Sequence, residues 1–156
     1  MGFMDKLKNA GKGVLKGALT MAATPYGMVS AGKHQLCKVC MNGEHDKLVF
    51  VKVAAVEAEY EIKKDIKTFY VFLEDDMKGS HQIKLEFNNG ENCVVMLTAD
   101  KNQGSALPSA QERIAAQYRN IGKLVKALAK QVPEISDETK KWVNKIMHYC
   151  GNSNLF

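Results

Sequence analysis

Residues Gln82 to Val132 constrain the fold more than any other stretch. Gln82 to Phe87 sets Ile83, Leu85 and Phe87 against Lys84 and Glu86. That period of two suits a strand with one face buried and one in water. Asn88-Asn89-Gly90 supplies turn chemistry, and Cys93 to Leu97 is again mostly apolar, so the run up to Thr98 reads as a β-hairpin. A polar loop, Asp100 to Ala106, follows, and then the period changes. Pro108 precedes Ser109, and Ser109 with Glu112 has the spacing of a capping box. Ile114, Tyr118, Ile121, Val125, Leu128 and Val132 then recur at spacings of 4, 3, 4, 3 and 4. They form one apolar seam on a helix over 109–132, with Arg113, Arg119, Lys123, Lys126 and Lys130 off the seam and Pro133 ending it. A one-sided hairpin followed by a one-sided helix buries both surfaces when the helix covers the sheet.

The period of two extends upstream. Leu36 to Met41 puts Cys37, Val39 and Met41 on one face, and Lys47 to Ala54 puts Val49, Val51 and Val53 on one face. Glu59 to Lys63 alternates Tyr60 and Ile62 with charged residues, and Thr68 to Leu73 is apolar on both faces, as a central or doubly covered strand would be. Six short strands with short turns form an antiparallel meander, which must curl or be covered to hide its inner face. The expected class is α+β: a curved antiparallel sheet or partly open barrel over 34–98, closed by the helix 109–132. A second helix begins at Ser136, with Asp137 and Glu138 in its first turn, and carries Trp142, Val143, Ile146, Met147 and Cys150 on one face.

The start of the chain is different. Residues 2–23 place Phe3, Met4, Leu7, Ala10, Val14, Leu15, Ala18, Met21 and Ala22 along one side of a helix, and Lys6, Lys8, Lys12 and Lys16 on the other. Gly11, Gly13 and Gly17 each weaken such a helix by roughly 1 kcal/mol relative to Ala. The helix therefore needs a cover for its apolar side: its own domain, a second copy, or a lipid interface. Thr24-Pro25-Tyr26-Gly27 breaks it, and Gly27 to Lys33 reads as a linker. The expected organisation is 1–33 helix and linker, 34–132 α+β domain, and 133–156 C-terminal helix and tail.

Charge divides along the same lines. Residues 1–33 carry five Lys and one Asp, residues 34–108 nine Lys and twelve acids, and residues 109–156 eight Lys or Arg and four acids. Basic ends flank a mildly acidic middle, which suits an anionic lipid surface or an acidic protein, or the acidic middle of another copy. Four cysteines in 156 residues do not make a disulfide framework and are expected as reduced thiols in a cytoplasmic protein. Met1 to Ala31 lacks a secretory layout, and the uncharged run Gly17 to Gly32 contains Pro25 and is too short and mildly apolar for a span.

Motifs for catalysis fail in their context. Gly27, Gly32 and Lys33 nearly spell a phosphate loop, but His34 stands where Ser or Thr would hold magnesium, and a strand follows where a helix should. Cys37-Lys38-Val39-Cys40 lies in an alternating strand, where residues three apart point to opposite faces, so no metal is expected from it. His34, Cys93, His148 and Cys150 lack paired ligand spacing, and His45 and His81 are equally scattered. Glu74, Asp75 and Asp76 read as a solvated turn, and Glu57, Glu59 and Glu61 as the water-facing side of a strand. Aromatics interleaved with bases, the mark of a nucleic-acid platform, are represented only by Tyr70 and Phe72 near Lys64 and Lys67. No cofactor is expected.

A curved meander closed by a helix with a Pro-capped start resembles the pleckstrin-homology-like folds of bacteria, over about residues 34–132. The run from Ile83 through Asn88-Asn89-Gly90 to Met96 is similar to the last hairpin of that superfold. The chain departs from it in showing six strands against seven and in adding a further helix. Members of the superfold range from lipid binders to protein-docking modules, so the resemblance implies a binding role without fixing its ligand. The expected function is a non-catalytic binding or scaffold module, cytoplasmic and in part peripheral at a membrane. Phe3, Met4, Leu7, Val14 and Leu15 would insert, and Lys6, Lys8, Lys12 and Lys16 would meet anionic groups. A homo-oligomeric structural protein with no lipid role is the alternative, and a small-ligand site in the barrel mouth or a nucleotide hydrolase ranks behind it.

Overall fold

The structure, a computed structural model, describes residues 25–72, 81–97 and 109–156. Seven strands, β1 (Gly27–Gly32), β2 (Lys38–Met41), β3 (Lys47–Lys52), β4 (Ala55–Glu61), β5 (Ile66–Phe72), β6 (His81–Phe87) and β7 (Asn92–Leu97), form one sheet in the order β4-β3-β2-β1-β7-β6-β5. Every pair is antiparallel. The sheet curls into a half-barrel. A single-turn helix α1 (Ile62–Asp65) joins its two edge strands, β4 and β5, and α2 (Ala110–Gln117), α3 (Arg119–Gln131) and α4 (Asp137–Tyr149) follow the last strand. The class is α+β, as the alternation and the apolar seam imply.

Four local expectations need correction. Gly27 to Gly32 is a strand and not a linker, which makes the strands seven and not six: Met28 pairs with Met96 of β7 on one side and Lys38 of β2 on the other. Its glycines hide it from a propensity reading, yet they are what lets the neighbouring backbone come close. A Cβ on Gly27 would sit 2.6 Å from the Met96 carbonyl oxygen. The strand expected over Glu59–Lys63 starts at Ala55, and its last residues turn into α1. The strand expected to Ala54 stops at Lys52, because Val53 and Ala54 form a two-residue hairpin loop with φ of 50° and 64°. The helix over 109–132 is interrupted at Tyr118, which has φ −92° and ψ 4°. Tyr118 is held from several directions. Its hydroxyl lies 2.7 Å from His81 Nε2, its carbonyl accepts from Gly122 N and from Cys150 Sγ, and its ring leans on Tyr149.

The core lies between the concave face of the sheet and the helices. Val29, Val39, Leu48, Phe50, Phe69, Ile83, Leu85 and Val95 point inward, and Tyr118, Ile121, Val125 and Leu128 of the helical seam meet them, joined by Leu124. Each such side chain contributes roughly 1.5–3 kcal/mol when fully buried. Val143, Ile146 and Met147 of α4 complete the layer. Ser136 caps α4 by accepting from Thr139 N at 3.2 Å. Thr68 of edge strand β5 bridges to Glu134, and Thr139 Oγ1 donates to Phe69 O, so the chain entering α4 shields this edge. A smaller cluster, Cys40, Val49 and Val51 with Val56, sits on the opposite, convex face.

Candidate functional site

Two places gather polar chemistry. The first is at the mouth of the half-barrel, where the β1–β2 turn meets β4. His34 adopts φ 63°, a left-handed conformation, and its ring is thereby turned inward, with a side chain only 7% exposed. Its Nδ1 lies 2.5 Å from Glu57 Oε2 and its Nε2 lies 2.6 Å from Tyr60 Oη. Cys37 Sγ donates to the same Glu57 oxygen at 3.2 Å. A bulge explains how Glu57 gets there. β3 and β4 pair Phe50 with Ala58 but Val51 with Val56, leaving Glu57 as the extra residue. Bulges re-aim a side chain in this way. Strict alternation assigns Glu57 to water along with Glu59 and Glu61. All three are exposed, Glu59 and Glu61 beside Lys47 and Lys64 respectively, but Glu57 also binds His34 and Cys37.

The electrostatics of this cluster favour holding over reacting. Burial first, and then the hydrogen bond to Glu57, push the Cys37 thiol up to about 11. Thiolate is the nucleophilic and metal-binding form, so Cys37 rests as a protonated donor. The bonds from Cys37 and His34 lower the Glu57 carboxyl, which rests as an acceptor. Burial raises the Tyr60 phenol. An aromatic wall stands behind: Tyr60 stacks on Phe87 at 4.3 Å between centroids, with Phe50 edge-on to both. The arrangement ties the β1–β2 turn to the edge strand β4. Cys40 does not join it, because it lies in the cluster on the convex face. Cys93 is close to Cys37 inside the core, and burial pushes it up to about 12. Among the described residues no group of three or more His, Cys, Asp or Glu is arranged to hold a metal ion.

The second place is a groove of about 510 Å³ along α2 and α3. Ala115, Ala116 and Gly122 form a low floor, and Arg119, Lys123 and Lys126 stand along one side, with Glu112, Cys150 and Asn152 completing the lining. Positions 119, 123 and 126 are four and three apart, so one helical face carries all three cations. Each is exposed, and among the described residues none is in an ion pair. The sequence places these residues off the apolar seam but shows nothing of the floor, which depends on Gly122 facing the C-terminus of α4.

The residues expected to contact a membrane or partner, Phe3, Met4, Lys6, Leu7, Lys8, Lys12, Val14, Leu15 and Lys16, lie outside the described residues, as do Glu74, Asp75 and Asp76. Gly27 to Gly32 of the near phosphate loop is strand β1, and Lys33 beside it pairs with Glu91 at 3.3 Å. No helix among the described residues is long and apolar enough to cross a membrane. No protein-family model matches the chain, and no curated protein matches it.

Proposed function

We propose that the protein is a non-catalytic binding module of the pleckstrin-homology-like class that takes an acidic protein segment along the α2–α3 groove. The observation carrying this reading is the row Arg119, Lys123 and Lys126 beside a floor of Ala115, Ala116 and Gly122. Small floor residues let a chain lie close, and three cations on one wall favour carboxylates over neutral side chains. A concave groove suits a peptide better than it suits a flat bilayer. Seven strands, the number in the pleckstrin-homology-like fold, and a helix packed on the sheet are consistent with that class. The protonated Cys37 and the paired Glu57 also speak for a held turn and against a nucleophile.

Fluorescence anisotropy of a labelled oligoglutamate peptide, titrated with the full chain, tests the reading. Binding should weaken with salt and be lost in the triple variant Arg119→Glu, Lys123→Glu, Lys126→Glu, with light scattering showing an unchanged mass. Equal peptide binding by wild type and variant would sink the proposal. Co-sedimentation with phosphatidylserine vesicles that the triple variant retains would assign lipid contact to another surface.

A further inference from the structure

The registers of the sheet trace a row across its convex face. Met96 of β7 pairs with Met28 of β1, Met28 with Lys38 of β2, Lys38 with Val51 of β3, and Val51 with Val56 of β4. Directly opposite residues share a face. Four of the five are apolar, and Lys38 is the exception. The neighbouring row adds Cys40 opposite Val49. These residues point away from the core; Val49 is 0% exposed, Cys40 4% and Val51 8%, whereas Met28 and Met96 at the β1–β7 end of the row are 44% and 36% exposed. The cluster on this face, Cys40, Val49 and Val51 with Val56, includes no residue of a described helix. The described chain begins at Pro25, which itself lines the hollow formed with Leu36, Cys40 and Val51.

We propose that the apolar side of residues 2–22 packs against this convex row as an intramolecular cover. The segment that leads into Pro25 has a continuous apolar side, Phe3, Leu7, Val14, Leu15 and Met21 among it, and is too glycine-rich to hold a helix alone. As a helix it is about 31 Å long. Five strands span about 19 Å between the outermost two. The segment is therefore long enough to run from Pro25, beside β1, over β2 and β3 to the β4 edge. Its lysines, on the opposite side of the helix, then face away from the sheet.

Cys40 is a native reporter for the cover. Iodoacetamide labelling of the full chain, resolved by mass spectrometry, compares Cys40 with Cys150, which is partly exposed. In the variant Leu7→Glu, Val14→Glu the cover should lift, and Cys40 should label about tenfold faster or more while Cys150 is unchanged, since a covered group reacts only through local opening. The control Lys8→Glu, Lys12→Glu, on the polar side, should leave the rate as in the wild type. Cys37 and Cys93 report on the core: if they also become reactive the fold has been lost, and the milder Leu7→Ala, Val14→Ala variant then decides by the same comparison. Equal Cys40 rates in wild type and the apolar-side variant overturn the proposal. A wild-type Cys40 rate that rises on dilution overturns it too, since the cover would then come from a second copy.

Discussion

Tyr60 of β4 stacks on Phe87 of β6 at 24° between ring planes, joining two strands that share no backbone pairing. The half-barrel has its open seam between β4 and β5, and this stack helps to hold the β4 side of it. Tyr60 also accepts or donates at His34 through its hydroxyl. The two contributions separate by substitution. Tyr60→Phe keeps the stack and loses one hydrogen bond, and should cost about 0.5–1.5 kcal/mol. Tyr60→Ala loses both and should cost about 3 kcal/mol. Urea unfolding measures both; an alanine variant no weaker than the phenylalanine one would mean that the stack contributes nothing.

The β3–β4 loop stores strain that can be removed. Val53 and Ala54 both have positive φ, as a type I′ turn requires, and Val53 is 93% exposed. Such loops favour Asn-Gly, because a β-branched residue is strained in the left-handed conformation. Val53→Asn with Ala54→Gly should raise stability by about 1–2 kcal/mol. A lower urea midpoint for the double variant would show that Val53 is held by a favourable contact that outweighs its strain.

The same loop shows why parts of the fold are legible in the sequence and others are not. Ile83, Leu85 and Phe87 advertise a strand because burial on one face imposes a period of two, and Gly90 advertises a turn because its φ of 90° suits glycine. Val53-Ala54 carries no turn chemistry, so the alternation of Val49 and Val51 runs straight through it. β1 is built from Gly27, Ser30 and Gly32, which say nothing of a strand; only its two partners make it one. The His34 cluster is hidden for a similar reason. A bulge at Glu57 changes the parity of the strand, and bulges are set by pairing with β3 rather than by residue type. The Arg119, Lys123, Lys126 row is visible as charge off a seam, but its groove needs the C-terminal end of α4 beside it.

Proton linkage gives the fold two pH limits. Glu57 has a carboxyl lowered from 4.5, so the folded state binds fewer protons than the unfolded state in the acid range. Its contribution is complete above pH 4.5 and is lost as pH falls through the depressed folded value. Glu57→Gln should flatten that acid limb. The thiols act in the opposite direction. Burial raises Cys37 and Cys150 from 9.0 to about 11 and Cys93 to about 12. Their contribution is complete below pH 9 and is lost as pH rises through 11 to 12, because the unfolded chain ionises first. Thermal unfolding between about pH 8 and 11 should show Tm falling above pH 9, less steeply in Cys150→Ala. A flat Tm over that range would mean that the thiols ionise as readily folded as unfolded.

Gly122 and Cys150 test whether the groove is a packed feature or an accident of two helix ends. A Cβ on Gly122 would overlap Cys150 Sγ, so α3 approaches the end of α4 as closely as glycine allows. Cys150 Sγ also donates to Tyr118 O at 3.2 Å, which fixes the side chain in the path of any added methyl. Gly122→Ala should cost about 1–3 kcal/mol through overpacking, despite the gain in helix propensity of roughly 1 kcal/mol that alanine brings. Cys150→Ala makes room, so the double variant should recover much of the loss, and a double-mutant cycle should return a coupling of at least about 0.5 kcal/mol. If the two changes simply add, the contact is loose in solution and the groove floor is free to move. Peptide binding measured on the same four proteins then shows whether a close α3–α4 approach is needed for the basic wall to hold its partner.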